Sequence, residues 1–358
     1  MSIMRAQQGK NLLQACDLDA FLFSDRSNIR YLCGFTGTDG VLLVTGDADY
    51  FLTDSRYGTQ AKEQVRTAEV REYQVKLDGI VSLLKEKGLR RIGFEAETLS
   101  YATVQRLRDK EPAALEWVAV DKPILSLRGI KDEEEIAALT EAAALNAAAF
   151  GEVLPRVRPG VSEAELALAL EMTLRRLGGE DKAFDFIVAS GPRGALPHGV
   201  ASARVLTAGE LVTFDFGTRV RGYHSDETVT IALGEVNPRL REIFDVVLAA
   251  HHAAMAAVRP GIPLRELDGI ARQVISARGF GEFFGHGLGH GVGLEIHEFP
   301  TVSTRSEDFA REGMVFTIEP GIYVPEVGGV RIEDTVVVTA DGCRPLTKIP
   351  KEFLSISV

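Results

Sequence analysis

The feature that most constrains the fold is an internal duplication in the C-terminal part of the chain. The tetrapeptide Val-Arg-Pro-Gly at 157–160 recurs at 258–261, and a helical pattern follows each copy, at 162–177 and 263–278. Each helix is expected to begin after a turn and to end at a glycine. Two copies are fewer than a solenoid needs, so the duplication predicts one closed domain with two pseudo-twofold halves.

Acidic residues stand at equivalent positions of the two halves. Aligned strand-like segments carry Asp215 in the first half and Glu319 in the second. Farther along the chain, Asp226 of the first half corresponds to Glu333 of the second. Each half therefore offers two carboxylates in the same structural setting.

The spacing of these acids indicates a metal site. Asp215 ends a buried-looking strand and Asp226 begins another, and the short glycine-bounded stretch between them is typical of a hairpin. A hairpin would place the two carboxylates side by side, where they repel unless a cation lies between them. With Glu319 and Glu333 arriving from the second half, four convergent carboxylates favour hard or borderline divalent metal ions, two in number.

A glycine-rich segment at 284–298 adds three histidines, His286, His290 and His297. It lacks the lysine of a phosphate-binding loop, the context of a dinucleotide-binding fingerprint, and the zinc motif His-Glu-x-x-His. Its glycines would let the backbone pack closely behind the imidazoles. A single histidine is more often structural, but three of them beside paired acids favour a role in the site.

The N-terminal part of the chain alternates short strand-like runs with helical stretches, which predicts a small α/β domain with a mixed sheet. The predicted strands cover 20–23, 41–44, 50–53 and 91–94, and the predicted helices cover 54–66 and 79–87. A linker is expected around Asp121-Lys122-Pro123. We therefore expect domains at 1–125 and 126–358.

Together these motifs resemble the metal-dependent Xaa-Pro peptidases, namely prolidase and aminopeptidase P, which are relatives of methionine aminopeptidase. The resemblance is carried by the ordered ligand positions and by the local sequences DFG, GYHSDET, GHGLGHGVGLEIHE, TIEPGIY and VRIED. It implies an α+β chain. A C-terminal pita-bread (creatinase/aminopeptidase-like) domain with pseudo-twofold halves would follow a smaller α/β creatinase-type N-terminal domain.

The resemblance also implies a set of metal ligands. Asp215 would bind one metal ion through both oxygens, and Asp226 and Glu333 would bridge the two ions. His290 and Glu319 would complete the coordination of the second ion. Mn²⁺ is the favoured ion because four carboxylates and one imidazole suit it, while Co²⁺, Zn²⁺ and Fe²⁺ remain possible.

Further residues match positions that contact the substrate in this family. His198 and His297 would face the substrate, and His286 would be another active-site histidine. Glu319 would also carry the proton between water and the leaving nitrogen. Arg331 would lie near the substrate pocket, or alternatively would form a structural ion pair with a ligand carboxylate.

The resulting functional prediction is hydrolysis of Xaa-Pro bonds, with prolidase activity on dipeptides preferred. Aminopeptidase P activity on longer peptides is the alternative, since Thr301 stands where the family often has an arginine. A non-catalytic peptide- or protein-binding module on the same fold is the candidate from another class. Such relatives typically lose ligands, whereas all five ligand positions are filled here.

Partners and location follow from composition and from the family. The net charge of −11 argues against nucleic acid as the main partner, and we expect no membrane span. Three widely separated cysteines predict a reducing, cytoplasmic location. The expected partners are a proline-containing di- or oligopeptide and a second copy of the chain in a homodimer.

Several other residues carry weaker expectations. The acidic run at 132–135 is expected to be a solvated helix start. The pair His251 and His252 is expected on the surface of a long helix. Tyr223 and Tyr323 are weak candidates for the wall of a proline pocket, against the alternative that both are packing aromatics.

Overall fold

The computed structural model describes residues 3–110 and 115–358 of the chain. The Cα positions separate into two units, Met1–Arg128 and Gly129–Val358. The domain boundary proposed from the sequence, after residue 125, falls at the end of a short helix that contains Pro123.

The N-terminal unit is built on one mixed sheet, as predicted, with the strand order β4-β3-β2-β1-β5-β6. Strands β1–β2 and β2–β3 pair antiparallel, and the other three pairs are parallel. The strands are β1 Ala20–Phe23, β2 Val41–Thr45, β3 Tyr50–Thr53, β4 Glu69–Glu72, β5 Arg91–Glu95 and β6 Glu116–Val120. The helices are α1 Ile3–Cys16, α2 Arg26–Cys33, α3 Gly58–Gln64, α4 Lys76–Glu86, α5 Tyr101–Lys110 and α6 Lys122–Leu125. Strands β1 and β2 are buried along their whole length, so they form the centre of this unit.

The C-terminal unit contains four helices and two larger sheets. The helices are α7 Glu133–Val153, α8 Glu163–Arg176, α9 Pro238–Ala257 and α10 Leu264–Ala277. The first sheet has the order β19-β11-β8-β7 and the second the order β13-β12-β14-β17-β18. Their strands are β7 Ile187–Ser190, β8 Glu210–Phe216, β11 Glu227–Leu233, β12 Gly289–Gly291, β13 Glu298–Val302, β14 Val315–Ile318, β17 Asp334–Val338, β18 Cys343–Pro345 and β19 Ser355–Ile356. Two short ribbons join β9 Arg219–Val220 to β10 Tyr223–His224 and β15 Gly321–Val324 to β16 Gly328–Arg331.

The predicted duplication is confirmed in this unit. Helices α8 and α10 follow the two Val-Arg-Pro-Gly copies, and the chain leaves them at Gly178 and Gly279, both with positive φ. The antiparallel pair β8–β11 of the first half matches the antiparallel pair β14–β17 of the second. Each half has its own apolar core, around Phe214 and Phe316 respectively. The two strand pairs thus provide equivalent frames for the acids that they carry.

Helix α7 is a core helix of the first half. By length and composition alone, the stretch Glu133–Arg156 is sufficiently apolar to cross a membrane. Its Ala142, Ala149 and Phe150 are buried, and Ala149 and Phe150 belong to the core of the first half. The burial of these residues accounts for its apolar composition, because core helices of globular proteins pass the same test.

Two weaker sequence expectations are wrong in part. Glu135 is buried, closes a capping box with Asp132 and accepts a hydrogen bond from the Tyr223 hydroxyl at 3.0 Å, so the acidic run is not simply a solvated helix start. His251 is also buried, because α9 packs it toward the second sheet with Nε2 3.2 Å from Asp334 Oδ2. Only its neighbour His252 is exposed.

Candidate active site

The two strand pairs bring the four predicted carboxylates to one cavity. Asp215 lies in β8 opposite Thr228 of β11, and Asp226 immediately precedes β11. In the second half, Glu319 follows β14 and Glu333 precedes β17. All four acids line a cavity of about 450 Å³. The predicted antiparallel pairing of the segments that carry Asp215 and Asp226 is therefore present, and the second half repeats it.

Each half also holds an acid of the other half. The Thr228 hydroxyl donates a hydrogen bond to Glu333 Oε2 at 2.7 Å. Reciprocally, the Thr335 hydroxyl donates to the backbone oxygen of Asp226 at 2.8 Å. The two threonines occupy equivalent positions of the duplication, so these bonds cross the pseudo-twofold axis. The Thr228 hydroxyl orients the Glu333 carboxylate without neutralising its charge, whereas the Thr335 hydroxyl fixes the backbone of Asp226.

Burial and mutual repulsion together raise the pKa values of the clustered carboxylates. Burial, followed by the charges of Glu333, Asp215 and Glu319, raises the pKa of Asp226 well above its usual range. Burial and the neighbouring acids Glu319 and Asp215 likewise raise the pKa of Glu333. The pKa of Glu319 is also raised, mainly by burial. Carboxylates in such a cluster can all ionise only when a cation offsets their charges.

His290 is oriented as a ligand for such a cation. Its Nδ1 lies 3.1 Å from the backbone oxygen of Gly291, an acceptor, so Nδ1 carries the proton. Burial lowers the pKa of His290, which favours the neutral ring. The Nε2 lone pair then faces Asp226 Oδ2 at 3.5 Å and Glu319 Oε1 at 3.3 Å. A lone pair facing two carboxylates fits a metal ion between them.

The remaining donor atoms also fit a metal centre. Ligand atoms of Asp226, His290 and Glu333 all lie within 4.8 Å of one another. Asp215 Oδ1 is buried and has no hydrogen-bond partner among the residues that the structure describes. Four carboxylates and one neutral imidazole form a donor set suited to divalent ions of the manganese-to-zinc series.

Arg331 joins Asp215 to a chain of polar groups. Its Nη2 lies 2.5 Å from Asp215 Oδ2, and its Nη1 donates to the Tyr323 oxygen at 2.9 Å. Although burial lowers the pKa of Arg331, Tyr323 and Asp215 raise it well above its usual value. Nη1 also donates to the backbone oxygen of Pro197, next to His198. Arg331 thus lines the cavity and forms the ion pair that the sequence left as an alternative.

His286 is the last member of this series of hydrogen-bonded polar groups. Its Nδ1 lies 2.8 Å from the Gly287 oxygen and therefore donates to it, so Nε2 accepts from the Tyr323 hydroxyl at 2.9 Å. Burial lowers the pKa of His286 and raises that of Tyr323 to about 12, which keeps both groups neutral. Tyr323 is therefore tied to polar partners and does not line the cavity, and the same holds for Tyr223, which bonds Glu135.

His198 and His297 lie at the mouth of the cavity, and both are exposed. Burial, and next the neighbouring His290, lowers the pKa of His297. The His290 and His297 rings meet edge to face, with centroids 4.2 Å apart. The structure therefore brings all the predicted metal-ligating and catalytic residues to this one cavity, whereas the two tyrosines lie outside its lining.

Side chains remote in sequence hold the glycine-rich segment in place. The Arg272 guanidinium donates to the backbone oxygens of Phe284 and His286 at 2.7 and 2.8 Å. Asp268, fully buried, pairs with Arg272 and accepts from the Leu288 amide at 3.0 Å. Sequence reasoning missed both residues, although a buried Asp and an Arg at i and i+4 on one helix is a recognisable pairing signal.

Close backbone approach explains two glycines of the segment. A Cβ at Gly289 would collide with the backbone oxygen of Thr317, and one at Gly291 with that of Phe299. The strands around His290 therefore pack at a separation that only glycine permits. This agrees with the prediction that the glycines let the backbone lie close behind the imidazoles.

The cavity wall combines apolar and hydroxyl-bearing side chains. The apolar lining residues that sequence reasoning missed are Phe184, Ile187, Pro197, Val200 and Ile296. Thr301 and Ser303 add hydroxyl groups to the same wall. These residues come from separate segments without a shared motif, so only the fold reveals them as a group.

Comparison with known proteins agrees with this arrangement. The chain matches the model of metallopeptidase family M24 over residues 137–340 and the creatinase/prolidase N-terminal domain over residues 5–130. It is 39% identical to an Xaa-Pro dipeptidase from Pyrococcus horikoshii, over 99% of this chain and 100% of that protein.

Solved structures are similar over nearly the whole chain. An Xaa-Pro dipeptidase from Bacillus anthracis superposes with a TM-score of 0.95 at 40% identity, covering 99% of each chain. An X-Pro aminopeptidase from Thermotoga maritima superposes with a TM-score of 0.90 at 36% identity, covering 98% of this chain and 100% of that one. The chain is an enzyme that belongs to the Xaa-Pro peptidases of metallopeptidase family M24, with a creatinase-type N-terminal domain and a pita-bread catalytic domain.

Proposed function

We propose that the protein is an Xaa-Pro dipeptidase that works with two divalent metal ions. Asp215, Asp226, His290, Glu319 and Glu333 are the proposed ligands. The observation that carries the proposal is the orientation of His290, whose Nε2 lone pair faces two carboxylates at 3.3 and 3.5 Å. Without a cation this arrangement would be repulsive, and the raised pKa values of Asp226 and Glu333 support the same conclusion.

When bound, two divalent ions would supply Lewis-acid polarisation of the scissile carbonyl and would lower the pKa of water. Glu319, whose pKa is raised by burial, is suited to accept a proton from the attacking water and to return it to the proline nitrogen. The Thr317 hydroxyl donates to Glu319 Oε1 at 3.1 Å and so fixes which oxygen remains free for this transfer.

The histidines at the mouth are suited to stabilise negative charge. We propose that His297 and His198 donate hydrogen bonds to the substrate carbonyl as its oxygen becomes anionic. The lowered pKa of His297 favours the neutral ring, which still provides one N–H donor. Through Tyr323, the proposed active-site residue His286 is linked to Arg331 and thus to the ligand Asp215.

The apolar wall suits the proline ring. Proline lacks an amide hydrogen and presents a compact hydrocarbon surface, so its pocket needs apolar contacts more than hydrogen-bond acceptors. Phe184, Ile187 and Val200 provide such contacts in the cavity. The hydroxyl groups of Thr301 and Ser303 are the proposed partners of the substrate carboxylate, where the family often has an arginine.

The preference for dipeptides is supported by the names of close relatives. The proteins from Pyrococcus horikoshii and Bacillus anthracis are both called Xaa-Pro dipeptidases. The Thermotoga maritima protein, at 36% identity, is called an X-Pro aminopeptidase, so action on longer peptides is the second candidate. Mn²⁺ is the proposed native ion because oxygen ligands predominate in the donor set. We further propose a homodimer, as in the family, and a cytoplasmic location, which agrees with three free cysteines.

The test compares an Xaa-Pro dipeptide with the matching Xaa-Pro-Yaa tripeptide, using metal-free protein supplied with Mn²⁺, Co²⁺, Zn²⁺ or Fe²⁺. A dipeptidase gives the higher kcat/KM on the dipeptide. Cleavage of the tripeptide alone would identify an aminopeptidase instead. A protein that binds none of these ions and cleaves neither peptide would be a binding module on the same fold.

A further inference from the structure

Each proposed bridging ligand is followed in the sequence by a second acid. Glu227 follows Asp226, and Asp334 follows Glu333. Because side chains alternate across a strand, the second acid projects to the face opposite the ligand. The Glu227 and Asp334 side chains are 0% and 12% exposed, so both lie buried behind the cavity. Two buried carboxylates at this position require a partner.

Lys351 pairs with both acids. Its Nζ lies 2.7 Å from Glu227 Oε1 and 3.5 Å from Asp334 Oδ1, and its side chain is 7% exposed. Neighbouring groups of the same segment strengthen the arrangement. The Ile349 amide donates to Glu227 Oε1 at 2.9 Å, and the Thr347 hydroxyl donates to Asp334 Oδ1. One lysine thus connects an acid of the first half with an acid of the second.

The path of the C-terminal segment connects the same two halves. Strand β18 pairs with β17, whose first residue is Asp334. Strand β19 pairs in parallel with β11, whose first residue is Glu227. Lys351 lies between β18 and β19, where the segment passes from the second sheet to the first. The segment therefore joins, from behind, the two strands that begin next to the proposed bridging ligands.

The separation of β11 and β17 at their first residues determines the distance between the Asp226 and Glu333 carboxylates. These carboxylates repel each other, and the two strands belong to different sheets. Several contacts oppose the repulsion: the crossed hydrogen bonds of Thr228 and Thr335, the Glu333 amide, which donates to the Thr228 oxygen at 3.2 Å, and the charge of Arg331. On the opposite side of the strands, Lys351 contributes a positive charge that pairs with an acid of each strand.

We propose that Lys351 is a positioning residue for the metal centre. By pairing with Glu227 and Asp334, it holds the starts of β11 and β17 at the separation that lets Asp226 and Glu333 bind the same two ions. The inference rests on the proposed metal ligands. Its consequence is that Lys351, which does not line the cavity, sets the affinity of the metal site.

The test is isothermal titration of Mn²⁺ into metal-free protein. For Lys351→Met we expect the affinity for Mn²⁺ to fall by about 10- to 100-fold, the usual effect of removing a group that orients a ligand. Lys351→Arg retains the charge and should restore most of the affinity. Lys348→Met is the matched control, because Lys348 is an exposed lysine of the same segment and its replacement should leave the affinity unchanged.

A second variant guards against misfolding of Lys351→Met. Glu227→Gln keeps the side-chain volume and an oxygen that can accept from the Ile349 amide, but it removes the charge that pairs with Lys351. It should also weaken Mn²⁺ binding while its circular dichroism stays that of the wild type. Wild-type affinity in folded Lys351→Met or Glu227→Gln would overturn this inference alone. A wild-type protein that binds no ion would overturn the proposed function together with it.

Discussion

The two halves of the catalytic unit build the same pair of acids from the same strand pair, yet they surround these acids differently. In the first half, an irregular segment between β7 and β8 contributes one histidine, His198. In the second half, the glycine-rich segment after α10 contributes His286, His290 and His297. The duplicated strands therefore account for the proposed acidic ligands, and the divergent connections account for the histidines.

The helices that follow the Val-Arg-Pro-Gly copies hold these connections from different positions. Glu163, in the first turn of α8, accepts hydrogen bonds from the amides and hydroxyls of Ser190 and Ser202, and it pairs with Arg193, which donates to the Val200 oxygen. Asp268, one turn farther along α10, pairs with Arg272 and accepts from one loop amide. In both halves a fully buried acid on the helix fixes the segment that carries the histidines. The two halves thus fix their histidine-bearing segments with buried acids that stand at different positions of the repeat.

We expect the largest effect from replacing one proposed bridging acid in each half, which tests whether the two halves contribute equally to the metal site. Asp226→Ala and Glu333→Ala should each lose bound metal and reduce hydrolysis by roughly a thousandfold, because the Lewis acid contributes several kcal/mol to catalysis. Metal content after dialysis and kcat/KM on an Xaa-Pro dipeptide provide the measurements. Asp245→Ala, an exposed acid on α9, is the control. Retention of both ions by either variant would mean that the halves are not equivalent.

We expect the next largest effect from replacing His198 or His297, the two histidines at the mouth of the cavity. His198→Ala and His297→Ala should each lower kcat by about 100-fold, because each removes one donor to the developing oxyanion. Bound metal should stay at the wild-type level, in contrast to the acid variants. The control is His252→Ala on the surface of α9. Unchanged kcat in one variant would restrict oxyanion stabilisation to the other half.

We expect a smaller effect from replacing the two buried helix acids, Glu163 and Asp268, and we expect the two variants to differ. Asp268→Asn should weaken Mn²⁺ binding about tenfold, because the segment that carries the proposed ligand His290 loses its support. Glu163→Gln should instead leave Mn²⁺ affinity unchanged and lower only kcat, through His198. Calorimetry and steady-state kinetics on both variants measure the contrast. Equal loss of metal affinity in both would refute the division between the halves.

The smallest effect concerns stability and pH. Glu210 of the first half pairs with Arg204, whereas the equivalent residue of the second half is the buried Met314. Burial raises the pKa of Glu210, but its hydrogen bonds with Arg204 and Thr207 outweigh this and lower it below 4.5. A lowered pKa in the folded state stabilises the protein above pH 4.5, and this contribution is lost as the pH falls through the folded pKa.

Glu210→Gln should therefore lower the free energy of unfolding by about 1 kcal/mol at pH 7. The difference from wild type should shrink in acid, below the ordinary glutamate pKa. Urea denaturation at several pH values measures it. Met314→Leu is the control, and its effect on stability should not depend on pH. A Glu210→Gln effect of constant size across this range would contradict the role given to the ion pair.

Local pattern was sufficient to predict the elements that the duplication repeats. The strand ends at Asp215 and Asp226 could be read from short-range patterns of apolar residues and glycines, and the second half then located Glu319 and Glu333. His290 emerged because its glycine-rich context is distinctive. These signals come from residues close in sequence to the positions that they predict, so a single sequence is sufficient to detect them.

Contacts between remote segments could not be predicted in this way. The crossed bonds of Thr228 and Thr335 depend on how two sheets approach each other, and the pairing of Lys351 depends on the path of the C-terminal segment. His251 lies on the apolar face of α9, at i+4 from Val247 and i+7 from Phe244, so helical periodicity could have predicted its burial. Its contact with Asp334, like the other contacts between remote segments, is decided by long-range packing.

The most direct test of the account is anomalous diffraction from crystals of the protein grown with Mn²⁺. We expect two anomalous peaks about 3.5–4 Å apart, the usual spacing of a dinuclear site, surrounded by Asp215, Asp226, His290, Glu319 and Glu333. Glu333 and Asp226 should contact both peaks. A single peak, or peaks outside this cavity, would contradict the proposal that the two halves share a pair of metal ions.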